Sequence, residues 1–198
     1  MFVQIIEGRV ADAEGLKRQI ERWQRELRPG AAGYLGSTGG VADDGTSLTL
    51  VRFASEEDAR KNSERREQGE WWAETAKYFD GEVTFRESGD VESLVGPGRD
   101  DAGFVQVMQG HCTDRGRLRE VESAMEADLR AQRPDVLGDL RAWYGDSDFT
   151  MAIYFTSEAA AREGEAKTST DTDGTDEWTT LLQDVRYVDL RHPWLDSA

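Results

Sequence analysis

A chain of 198 residues has room for one large domain or two small ones. Its 40 Asp and Glu against 24 Lys and Arg leave a formal charge of −16, spread over both halves, so a nucleic-acid backbone would be repelled. A single cysteine, Cys112, excludes an intrachain disulfide and fits a reducing, cytoplasmic setting, and no apolar run approaches the roughly 20 residues of a membrane span.

The N-terminal Met1-Phe2-Val3-Gln4-Ile5-Ile6-Glu7 is too short and lacks the basic lead of a signal peptide; its pattern predicts a first strand. Leu16, Ile20, Trp23 and Leu27 then recur at helical spacing behind Asp12, a suitable cap. Strands are expected over 33–39 and 46–54, joined at Asp43-Asp44-Gly45, residues that tolerate a tight hairpin. Ser55 followed by Glu56, Glu57 and Asp58 opens a second helix, with acid in its first turn, and a last strand covers 82–87. A linker over 89–102 centres on Gly96-Pro97-Gly98.

From Phe104 the series starts again. Phe104-Val105-Gln106-Val107-Met108-Gln109-Gly110 repeats Phe2-Val3-Gln4-Ile5-Ile6-Glu7-Gly8 at four of seven positions. Leu118 and Leu129 answer Leu16 and Leu27, and Phe155-Thr156-Ser157-Glu158 answers Phe53-Ala54-Ser55-Glu56. Leu118, Val121, Met125 and Leu129 make the helix, with Thr113 as the expected cap. Strands over 137–144 and 148–156 turn at Gly145-Asp146-Ser147, Ser157 opens the next helix, a polar loop covers 167–175, and 185–190 is the last strand. The order is βαββαβ twice: an α+β chain of two ferredoxin-like modules, 1–88 and 103–198.

A four-stranded sheet with both helices on one side must cover its other face. Alternation points Thr49, Val51 and Phe53, with Met151, Ile153 and Phe155, toward the helices. Leu48, Leu50 and Arg52, with Thr150, Ala152 and Tyr154, point away. Val3, Ile5, Val105 and Val107 are assigned to the helix side, which leaves Phe2, Gln4, Ile6, Phe104, Gln106 and Met108 opposite. The mostly apolar second face leads to the expectation that the two sheets pack on each other.

With this strand order and these helix patterns, 1–87 and 103–195 resemble the dimeric α+β barrel superfamily, which includes the antibiotic biosynthesis monooxygenase-like domains. The resemblance implies that one chain supplies both halves of a pseudo-dimeric α+β barrel, as a monomer. It also implies an activity, cofactor-independent oxygenation of a quinol-like aromatic molecule, with no metal or flavin. Such chemistry needs an apolar cavity and a few polar groups that promote deprotonation. Gln4, Gln106, Arg52 and Tyr154 are the candidates, with Asn62, Trp72 and Trp178 on the covering helices. The plainer reading of the same residues is structural. The glutamines then satisfy the sheet, and the stripes Trp72, Ala76, Phe79 and Trp178, Leu182, Val185 are core. The alternative function is a non-catalytic barrel that binds a small hydrophobic ligand or a partner protein.

Other motifs carry less. Haem-degrading members of the superfamily resemble a pattern of first-strand Asn with Trp and His on the second helix. Here Gln4, Gln106, Trp71, Trp72 and Trp178 are present, but the histidines are His111 and His192, so no axial imidazole is expected there. His111-Cys112 has no third partner at a catalytic or zinc-like spacing and is expected to be a solvated strand end. Ser169, Asp171, Asp173 and Gly174 match part of a calcium loop, but Thr180 stands where a bidentate Glu is needed. Gly36-Ser37-Thr38-Gly39-Gly40 lacks the Lys of a phosphate loop.

Overall fold

A computed structural model of the chain describes residues 1–168 and 175–197. The elements are β1 (Phe2–Arg9), α1 (Ala13–Glu26), β2 (Tyr34–Val41), β3 (Thr46–Phe53), α2 (Glu56–Ser63), α3 (Arg66–Thr75), β4 (Thr84–Ser88) and β5 (Asp90–Glu92). They continue with β6 (Phe104–Cys112), α4 (Arg115–Gln132), β7 (Val136–Tyr144), β8 (Asp148–Phe155), α5 (Glu158–Thr168), α6 (Thr175–Leu181), β9 (Leu182–Leu190) and β10 (Trp194–Ser197). Ser169, Asp171, Asp173 and Gly174, and with them most of the loop expected over 167–175, lie outside the described residues.

Two compact units result. One is Met1–Gly89 with Trp194–Ala198, the other Asp90–Pro193. Each holds a five-stranded antiparallel sheet, ordered β10-β2-β3-β1-β4 and β5-β7-β8-β6-β9, around the βαββαβ order read from the sequence. The fifth strands carry no strong sequence signal. β5 comes from the start of the expected linker and pairs with β7; β10 comes from the last residues and pairs with β2.

Local chemistry explains the element ends. Asp12 caps α1, its Oδ1 accepting from the Gly15 amide at 2.8 Å. In the second unit the cap is Asp114 rather than Thr113, accepting from the Arg117 amide at 2.9 Å. A carboxylate caps as well as a hydroxyl, and the chain enters one residue later than expected. Ser55 and Ser157 cap α2 and α5 as the sequence suggests, at 3.1 and 3.2 Å from the Asp58 and Ala160 amides. Gly45 and Gly145 sit at φ +86° and +56° in the two hairpins, where a side chain would be strained.

Cross-strand register settles which side chains share a face, because directly paired residues point the same way. Phe2, Gln4 and Ile6 pair with Phe53, Val51 and Thr49; Phe104, Gln106 and Met108 pair with Phe155, Ile153 and Met151. The third strands therefore point as expected, while the first strands are reversed. Phe2 and Phe53 join Trp23, Leu27, Ala59 and Trp71 in the core beneath the helices. Val3, Ile5, Leu48 and Leu50 share the other face, and all four are fully buried. The helical stripes shift too: Trp71 and Thr75 turn inward where Trp72 was expected, and Leu182 and Val185 begin β9.

Candidate functional site

Between the helix-facing side of the first sheet and α1, α2 and α3 lies a cavity of about 80 Å³. That is several times the ~10–15 Å³ that one water needs. Aromatic rings dominate it: Trp23, Tyr34, Phe53, Trp71, Trp72, Phe79 and, from β10, Trp194. The rings lock one another. Trp23 lies 5.0 Å from Tyr34 and 6.4 Å from Trp71, and Tyr34 stands edge-on to Phe53 at 6.0 Å.

Several polar groups of the lining have defined partners. Trp23 Nε1 donates to Gln68 Oε1 at 2.7 Å, and Trp71 Nε1 to the Gln19 carbonyl at 2.9 Å. The Tyr34 hydroxyl bridges Ser37 Oγ at 3.0 Å and Asp196 Oδ2 at 2.8 Å, and Arg28 also donates to Asp196, so β10 is clamped to β2 beside the cavity. Burial drives the Tyr34 phenol well above its ordinary pKa, and the Asp196 carboxylate adds to the effect, so it stays protonated. Asn62 is buried and accepts from Arg65 Nη1 at 3.1 Å through Oδ1; among the described residues its Nδ2 donates to none. Among the described residues the lining contains no carboxylate, imidazole or ammonium.

Of the candidates named from the sequence, Gln4, Asn62 and Trp72 line this cavity. Gln106 and Trp178 border an open cleft of the second unit. Arg52 and Tyr154 lie on the opposite sheet faces, both buried, so they share no cavity with the glutamines. The glutamines have equivalent structural partners: Gln4 Nε2 donates to Glu87 at 2.7 Å and Gln106 Nε2 to Asp189 at 3.1 Å, each across to the neighbouring strand. His111 is exposed and hydrogen-bonds Asp148, but Cys112 is fully buried, against the expectation of a solvated end, because β6 turns it into the core. Burial raises its thiol pKa. Trp23 was legible as a core residue; nothing local marked Trp194, which reaches the cavity only through strand pairing.

The second unit carries a buried polar cluster. Arg141 on β7 makes a two-pronged ion pair with Glu122 on α4, and Trp178 Nε1 donates to the same carboxylate at 3.0 Å. Beside it Asp139 is buried and accepts from the Leu94 and Val95 amides at 3.0 and 2.7 Å. Burial raises its pKa in spite of those bonds. A carboxyl raised in the fold contributes stability that is complete below its unfolded pKa of about 3.9 and is lost as pH rises through the folded value. Asp139→Asn keeps an oxygen for both amides, so it should remove that part of the pH dependence and raise stability relative to the parent at pH 8. Urea midpoints of both proteins from pH 4 to 8 measure it, and parallel profiles would count against a raised carboxyl.

Among the described residues no helix is long and apolar enough to cross a membrane, and no three His, Cys, Asp or Glu are grouped to hold a metal ion. No family model and no curated protein matches the chain. Solved structures do match along its whole length. A candidate monooxygenase from Lactobacillus acidophilus NCFM aligns at TM-score 0.70 and 12% identity, over 99% of this chain and 95% of that one. A candidate monooxygenase from Fusobacterium nucleatum subsp. nucleatum ATCC 25586 aligns at 0.73 and 9%, over 99% and 94%. An anthrone oxidase-like protein aligns at 0.65 and 12%, over 98% and 92%. At such identities the likeness is one of fold. The chain has the ferredoxin-like α+β fold of monooxygenase-like proteins, present twice.

Proposed function

We propose that the first unit binds a small, uncharged aromatic molecule, and that the chain is a monooxygenase-like oxidoreductase for a phenol of the quinol type. The observation that carries this reading is the aromatic cavity, lined also by Asn62, whose Nδ2 donates to none of the described residues. Flat rings on several sides favour a planar ligand, and an amide donor of the lining such as Asn62 Nδ2 would orient its oxygen.

Oxygenation of a phenol to a quinone balances with dioxygen alone. One oxygen atom bonds to the ring carbon in place of hydrogen, the other leaves as water, and the substrate supplies all four electrons. The protein then has to hold the ring, favour the electron-rich phenolate and keep bulk water out. Asn62 Nδ2 would hydrogen-bond the phenolate oxygen, while Tyr34, held neutral by its burial, adds no competing charge. A second reading, a non-catalytic binding protein, is favoured by the lack of any base among the described residues of the lining.

Two measurements separate them. Saturable quenching of tryptophan emission by 2-naphthol is expected under both. Dissolved oxygen should fall faster with a hydroquinone and protein than with hydroquinone alone only if the chain is an oxygenase. Asn62→Asp keeps the acceptor for Arg65, removes the donor and adds a like charge. It should weaken 2-naphthol binding about tenfold, the equivalent of ~1.4 kcal/mol for one directed hydrogen bond. Unaltered affinity would remove Asn62 from the site.

A further inference from the structure

We infer that aromatic-ligand specificity resides in the first unit alone, and that Ile20, Gly39 and Trp194 set it together with Asn62. This rests on the reading of the first unit as the aromatic site. The two units can be compared position by position, because their caps and registers run in step: Asp12 answers Asp114, Thr49 answers Met151, and Gly39 and Arg141 hold the same place opposite them.

On that frame the four positions change character. Ile20 on α1 becomes Glu122 on α4, Gly39 on β2 becomes Arg141 on β7, and Asn62 on α2 becomes Gly164 on α5. Trp194, paired with Gly39 on β10, becomes Glu92, paired with Arg141 on β5. The first unit therefore presents an aliphatic side chain, a missing side chain, an open donor and an indole. The second fills the same place with a buried arginine between two glutamates, Glu122 in direct contact and Glu92 3.9 Å away.

Gly39 is the critical opening. A Cβ there would stand 2.5 Å from Thr49 Oγ1, so any larger residue must displace the wall of the cavity. In the second unit Arg141 occupies that space and reaches Met151 Sδ at 3.3 Å. Two voids border that place: a charged one of about 260 Å³, lined by Glu92, Glu122, Arg119 and Arg141, and an apolar one of about 210 Å³ displaced toward Met125, Leu129 and Val136. The first offers a neutral phenol charged groups already paired with one another. The polar border of the second, Asp139, Glu122 and Arg133, is already hydrogen-bonded, and among the described residues it has no side-chain amide donor. A phenol entering it would have its hydroxyl beside the Asp139 and Glu122 carboxylates and no neutral side-chain amide donor for its oxygen among the described residues, which disfavours it against the first unit.

Titration calorimetry of the intact chain with 2-naphthol tests this. The expected result is one site per chain. Ile20→Glu with Gly39→Arg, which copies the second unit's ion pair into the first, should lower affinity at least a hundredfold. Trp194→Ala, in the cavity lining, should lower it about fivefold, and it keeps the test decisive should the double variant not fold. Two equal sites per chain, or undiminished affinity in a folded double variant or in Trp194→Ala, would overturn the assignment while leaving an aromatic-binding protein. Absence of any saturable binding would overturn the proposed function and this inference with it.

Discussion

Arg141→Ala is expected to destabilise the second unit by about 3–5 kcal/mol, the usual cost of leaving one member of a buried ion pair without the other. Both side chains are nearly inaccessible, 4% exposed for Arg141 and 11% for Glu122, so water cannot replace the lost partner. The guanidinium also packs 5.2 Å from the Trp143 ring, and that contact disappears with it. The size of the effect depends on the orphaned charge rather than on the strength of the pair. Arg141→Met combined with Glu122→Leu should therefore recover most of the loss, since apolar replacements of similar volume often match a buried pair. Urea unfolding of the three proteins is the measurement. A loss under 1 kcal/mol for Arg141→Ala would mean that the pair is solvated.

Trp23→Ala should cost about 3–5 kcal/mol in the first unit and abolish 2-naphthol quenching. Trp23 is the hinge between core and cavity. It contacts Tyr34 and Trp71, sits in the cluster with Phe2, Leu27 and Phe53, and satisfies Gln68 through its indole nitrogen. Trp23→Phe separates these contributions: most of the packing remains, only the hydrogen bond to Gln68 goes, and the cost should fall to about 1 kcal/mol. Differential scanning calorimetry resolves the two. Equal losses in both variants would show that the hydrogen bond, not the ring mass, dominates.

Much of the fold was legible in the chain itself. Period-two and period-3.6 patterns are local, so Phe2 to Gly8 and Leu16 to Leu27 declare strand and helix without knowledge of neighbours, and their recurrence at Phe104 and Leu118 declares the repeat. Ser55 and Ser157 mark helix starts for the same reason, since a cap needs only the next turn. The candidate site was legible in part: Gln4, Asn62 and Trp72 line the cavity, and Gln106 and Trp178 border a cleft of the other unit.

What escaped was what depends on residues far apart in sequence. Alternation along β1 says that Val3 and Gln4 point opposite ways, but the choice of side comes from pairing with Arg52 and Val51, some fifty positions away. That register turned the glutamines toward the helices and separated them from Arg52 and Tyr154. Trp194 faces the cavity only because β10 pairs with β2, placing it opposite Gly39. Neither residue carries a local signal for that meeting: the glycine ends one expected strand and the tryptophan lies beyond the last one. A pocket is a set of distances between segments. Spacing along a chain constrains those distances only within one helix or one strand, whereas the pairing of β10 with β2 joins positions more than 150 residues apart.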